Sequence, residues 1–160
     1  NDVFYNDDIL KKINNIFEKD NIDFLFTSVC YKKNVRNSKI FRIYKSRFKP
    51  WMLRFGYSPP HTGFFAKKTE IYKIGNYDEN LVIASDFEFF VRLFLNKDVK
   101  YLTKDLITIT MSLGGLSTSG FRSYVVSTKE ILKSLKQNKI YSNYLLVCLR
   151  FIIKIFQLKL

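Results

Sequence analysis

The segment Ile83-Ala84-Ser85-Asp86-Phe87-Glu88-Phe89-Phe90-Val91-Arg92-Leu93-Phe94 constrains the fold more than any other part of the chain. Phe87, Phe90, Val91 and Phe94 recur at helical spacing, which predicts an amphipathic helix with one face committed to a core. Ser85 and Glu88 stand three apart, as in a capping box, where the Ser oxygen accepts an amide of the first turn and the Glu reaches back to the cap amide. That pairing starts the helix at Ser85 and puts Asp86 in its first turn, with the carboxylate turned towards the strand ends. A first-turn acid also complements the helix dipole by about 0.3–1 kcal/mol, and on that basis alone Asp86 would be structural.

The flanking segments read as alternating helices and strands. Asn6 is placed to cap a helix whose Ile9, Leu10, Ile13, Ile16 and Phe17 form one apolar stripe. Residues 23–31 are apolar and β-prone, which predicts a buried strand. Pro59-Pro60 stiffens the approach to His61, the only His in the chain, and a lone His is commonly structural. A strand over 62–66 and a short helix over 69–74, stopped by Gly75, follow. Residues 106–111 alternate Thr with apolar side chains, as a half-exposed strand does. The pair Gly114-Gly115, followed by Ser117, frees backbone amides to approach an anion, or simply makes a flexible loop.

The chain has 160 residues and a hydrophobic share of 47%, enough for one domain with a core and too apolar for a disordered segment. Its formal charge of +13 implies an anionic partner: nucleotide phosphate, lipid head groups or nucleic acid. Between residues 31 and 54 there is no acid, while Lys32, Lys33, Arg36, Lys39, Arg42, Lys45, Arg47, Lys49 and Arg54 alternate with aromatic side chains. Such interleaving suits base stacking on single-stranded nucleic acid, but no nucleic-acid module pattern accompanies it, so none is expected as a partner. A solvated or membrane-facing insertion is the expectation, since anionic lipid attracts each basic residue by about 1 kcal/mol. Cys30 and Cys148 are too few and too far apart for a disulfide framework or metal cluster, which fits the cytoplasm. No signal peptide is visible and the sequence opens at Asn1 without an initiator Met, so the expectation is a fragment.

Three blocks in order, Pro60-His61-Thr62-Gly63-Phe64-Phe65-Ala66-Lys67-Lys68, Ile74-Gly75-Asn76-Tyr77-Asp78-Glu79-Asn80 and Ala84-Ser85-Asp86-Phe87-Glu88-Phe89, resemble the second half of family 2 glycosyltransferases. The resemblance runs from about Asn1 to Ser119. It implies an α/β fold, namely part of a GT-A αβα sandwich, with residues 1–120 as the acceptor-side half and residues 121–160 as a helical tail. It implies that Asp86 is similar to the general base that takes the proton of the acceptor hydroxyl in inverting transfer. Asn1-Asp2-Val3-Phe4 is similar to the tail of the family's Asp-x-Asp motif, which implies Asp2 as a ligand of Mg²⁺ or Mn²⁺, with an ordinary turn acid as the alternative. His61 and the loop of Gly114, Gly115 and Ser117 would lie beside the substrates, and Asp78 and Glu79 would orient the turn that delivers Asp86.

From residue 121 the resemblance fades and the pattern is helical through 139 and again over 141–160. The last helix has a narrow polar stripe of Asn143, Arg150, Lys154 and Gln157 on an otherwise apolar surface. Arg150 and Lys154 interrupt the apolar run, so an interfacial helix with snorkelling basic residues is expected rather than a span, or else packing against protein. The resemblance implies a transferase that moves a sugar, with inversion, from a nucleotide sugar to a saccharide or lipid-linked saccharide. The expected setting is bacterial surface-polysaccharide assembly (O-antigen, capsule or exopolysaccharide) at the inner face of the membrane. The rival is a non-catalytic basic module that binds nucleic acid or anionic membrane.

Overall fold

A computed structural model describes residues 2–33, 39–96, 98–112 and 121–156. The apolar run after Asp23 forms strand β2 (Phe24–Lys32), and its first seven residues are buried. Because side chains alternate along a strand, β2 serves two cores. Leu25 packs with Ile9, Ile13, Ile16 and Ile22 around helix α1 (Ile9–Asp20), whereas Phe24 and Phe26 join the larger cluster on the other face.

Strand β1 (Val3–Phe4) runs antiparallel to β5 (Tyr101–Ser112), and β5 runs parallel to β2. Strands β3 (Ile40–Tyr44) and β4 (Phe64–Ala66) lie end to end along the other edge of β2, both antiparallel to it. The result is a mixed sheet with the path β1-β5-β2-β3 and with β4 beside β2. Helix α2 (Lys68–Ile74) ends at Gly75 and leads to α3 (Ser85–Leu95). Helices α4 (Phe121–Gln137) and α5 (Tyr144–Phe156) close the chain.

The helix pattern of residues 83–94 is realised in α3, where Phe87, Phe89, Phe90, Val91 and Leu93 are all buried. Burying each such side chain contributes about 1.5–3 kcal/mol, so this one helix dominates the larger core. The same cluster includes Ile131 and Leu135 of α4 and Val147 of α5, so the boundary expected at residue 120 does not separate two cores. The described part of the basic stretch is joined to the core. It contributes β3, a buried Phe48 and, through the 3₁₀ turn Pro50–Phe55, a buried Leu53. Asn6 does not cap α1; Asp8 occupies that place, without a side-chain cap bond.

Thr27 at the centre of β2 is fully buried, and its hydroxyl donates to the Gly63 carbonyl at 2.8 Å while meeting the Thr108 hydroxyl at 2.7 Å. The chain therefore approaches β2 very closely at Gly63. A Cβ there would lie 2.4 Å from the Thr27 carbonyl oxygen, a contact with backbone that cannot swing away. Gly63→Ala is expected to lower stability by about 3 kcal/mol, the upper end for overpacking, as read from urea denaturation. A variant as stable as the parent would show that the segment relaxes freely.

Candidate functional site

The close approach at Gly63 sets His61 and the preceding prolines beside the C-terminal half of β2. Here Tyr31, Tyr44, Tyr57, His61, Asp86 and Arg150 are among the residues that wall a cavity of about 210 Å³. Binding sites in open α/β sheets typically lie beyond the C-terminal ends of parallel strands, and Tyr31 stands near that end of β2. Two of the residues singled out in the sequence, His61 and Asp86, thus share one cavity.

Asp86 lies in the first turn of α3, as the spacing predicts, but the expected capping box is absent. Ala84 is the cap residue, and Ser85 makes no cap bond. Glu88 turns forward to Arg92, whose Nε donates to both carboxylate oxygens at 2.8 and 3.0 Å. The segment that leads into α3 is held by Glu130 of α4, whose carboxylate accepts the amides of Val82, Ile83 and Ala84 at 2.9, 2.9 and 2.8 Å. At the helix start itself the Glu88 amide donates to the Ala84 carbonyl at 3.0 Å, so the helix begins one residue earlier than a Ser85 cap would place it. Asp86 Oδ1 accepts the Phe87 amide at 2.7 Å, which orients the carboxylate at the cavity wall.

His61 is exposed at the rim, and its Nε2 is 3.0 Å from the Tyr77 hydroxyl. Burial raises the Tyr77 phenol pKa, and the nearby Asp86 charge raises it further against the opposing pull of Arg92. Tyr77 therefore links His61 to the Asp86 field and remains a proton donor at neutral pH. Arg92 also donates to the carbonyls of Ile74 and Asn76, which ties the turn before Tyr77 to α3. Asp78 accepts the backbone amide and the side-chain amide of Asn80, both at 2.9 Å, so this acid holds its own turn. Those bonds, the backbone one first, keep its pKa below the ordinary carboxylate value.

Tyr31 and Tyr44 form the sheet side of the cavity. Burial raises both phenol pKa values, with Asp2 adding to the effect at Tyr31 and Tyr57 at Tyr44. Asp2 is exposed and close enough to influence Tyr31, although it does not line the cavity itself. Among the described residues no group of three or more His, Cys, Asp or Glu side chains is arranged to hold a metal. Asp2 alone does not make a site for Mg²⁺ or Mn²⁺, which need several oxygen ligands. Gly114, Gly115 and Ser117 lie outside the described residues.

Arg150 departs from the expectation of a snorkelling tail residue. It is 4% exposed, and its Nη2 donates to Ser127 at 3.0 Å and Thr128 at 2.8 Å on α4. The reason is packing: α5 lies on the 3₁₀ turn Pro50–Phe55 and on α4, so its polar stripe faces inward at this point. Gly56 permits that approach, with φ of +68° and space so tight that a Cβ would meet Val147 Cγ1 at 2.8 Å. The Lys154 side chain lies outside the described residues. Arg150 and the tyrosines at 44, 57 and 77 are the residues that sequence reasoning missed at or beside the site, and Glu130 supports it from α4. Only Tyr77 carried a usable signal, through its place in the turn before Asp86.

The chain matches no family model and has no significant match among curated proteins. No helix among the described residues is long and apolar enough to cross a membrane.

Proposed function

We propose that this chain carries the acceptor side of an inverting glycosyltransferase with a partial GT-A sandwich. The observation that carries the reading is Asp86 at the wall of a cavity it shares with His61, at the start of a rigidly cored helix. In this reading Asp86 accepts the proton of a saccharide hydroxyl while that oxygen bonds to the anomeric carbon of the donor sugar. The bond from that carbon to the nucleoside diphosphate breaks, and the leaving oxygen keeps the electron pair. The side chain thus acts as a general base. His61 and Tyr77 line the approach and can hold substrate hydroxyls. Any Mg²⁺ or Mn²⁺ in this reading would need oxygen ligands besides Asp2.

The intact protein, given nucleotide sugars and saccharide acceptors, should form a product whose anomeric configuration is opposite to that of the donor, as read by NMR. Retention of configuration would overturn the role given to Asp86. Absence of transfer, together with RNA or DNA binding that weakens steeply with salt, would favour the basic binding module instead.

A setting in surface-polysaccharide assembly, with a lipid-linked acceptor, draws support from one surface. Trp51, Met52, Phe55, Leu149 and Ile152 line an apolar groove between α5 and the 3₁₀ turn, with Trp51 59% and Ile152 50% exposed. Lys49 and Arg54 stand exposed in the same stretch. An apolar rim flanked by basic side chains suits peripheral contact with the inner, anionic leaflet. Replacing Trp51 and Ile152 together with Ser should lower flotation with anionic liposomes severalfold, and high salt should weaken what remains. Unchanged flotation of the double variant would remove this surface from the membrane reading.

A further inference from the structure

We infer that the cavity takes an anionic saccharide, with a hydroxyl towards Asp86 and a carboxylate or phosphate group towards Arg150. The inference deepens the acceptor reading and rests on it for the role of Asp86. The anion itself is argued from Arg150. Burying a guanidinium is costly unless an opposite charge or a full set of acceptors receives it. Arg150 is buried in the wall of the cavity, yet among the described residues it forms no ion pair. Its partners are two hydroxyls, Ser127 and Thr128, and the Phe151 ring at 4.8 Å. Its Nε is buried without any acceptor.

The Glu130 carboxylate is already engaged. Glu130, on the same helix as Ser127 and Thr128, holds the three amides before α3. Asp86 faces the same cavity but forms no ion pair with Arg150 by distance. Burial pulls the Arg150 pKa down, but a guanidinium remains charged at neutral pH. The cavity therefore has a carboxylate and a cation in its walls without joining them, and about 210 Å³ suits a single sugar unit more than an extended chain. Planar guanidinium groups pair well with both carboxylate and phosphate, which is why two chemical sources remain and the ligand classes must be compared.

Equilibrium titrations of the intact protein with glucose, glucuronate, glucose 6-phosphate and inorganic phosphate separate these cases. An anion preference appears as at least about tenfold tighter binding of one charged sugar than of glucose, the gain expected of one charge-assisted contact. Glucuronate leading would identify a carboxylate, and glucose 6-phosphate leading would identify a phosphate. Inorganic phosphate binding as tightly as the sugar phosphate would overturn the saccharide part. Arg150→Met should abolish the preference, while Asp86→Asn should keep it. Because Arg150→Met could unfold, the Arg150 Nε–H resonance of the parent protein is followed in the same titrations and should shift with the preferred anion. Equal binding of glucose and both charged sugars, or a preference that leaves this resonance unmoved, would overturn the inference. Turnover is read separately, so absence of any anion preference in the parent protein, with transfer intact, would sink this inference and leave the acceptor reading standing.

Discussion

Asp86→Asn in the intact protein is expected to leave saccharide binding within about twofold while lowering turnover by about 10²–10⁴-fold, the usual cost of removing a general base. The amide keeps the shape of the side chain, and its oxygen can still accept the Phe87 amide that orients it at 2.7 Å. What it loses is the capacity to take a proton. Binding measured by titration and turnover measured with saturating acceptor distinguish this from a packing defect, which would lower both. A fully active Asp86→Asn protein would end the assignment, because no other carboxylate lines the cavity among the described residues.

The second large effect is expected at a position with no part in the chemistry. Glu130→Ala should lower the free energy of unfolding by about 2–4 kcal/mol, because three amides lose a charged acceptor at 2.8–2.9 Å and two of them are partly buried. Glu130→Gln keeps one acceptor oxygen and should lose less. The loss falls at the segment that leads into α3, so the Ala variant should also turn over more slowly than its remaining folded fraction accounts for. Urea denaturation supplies the first quantity, and activity at a temperature where the variant is folded supplies the second. Equal stability of all three proteins would mean that water replaces the carboxylate without cost.

The elements were legible where a period ran long enough to be unambiguous. α3 was marked by four apolar side chains at helical spacing, and β2 by a β-prone, mostly apolar run after Asp23. Both reflect burial, which the sequence records directly. The cap of α3 was illegible for the opposite reason. Ser85 and Glu88 had the right local spacing, but Arg92 claimed the Glu, and the amides before the helix are held by Glu130 from a helix more than forty positions away. Arg150 was misread because the width of an apolar arc does not say which side a neighbouring helix will cover. Arg150 itself turns to the hydroxyls of α4. His61 and Asp86 were found together, whereas Tyr44 stood out only as an aromatic between basic residues and Tyr57 carried no signal of its own.

The two edges of β2 close at different distances along the chain. β3 and β4 come from the segments that follow β2, so that edge is covered by comparatively local pairing. The other edge waits for β5, where Leu25 meets Leu102 and Cys30 meets Thr110, and β1 can join only after β5 is in place. Non-local parallel pairing is slow because loop closure precedes the contacts that reward it. Until residue 112 has been synthesised and docked, a strand whose first seven residues end up buried keeps one hydrogen-bonding edge open. An apolar open edge is a template for pairing with another chain, so the interval before β5 docks is the stage at which this protein is most prone to aggregate.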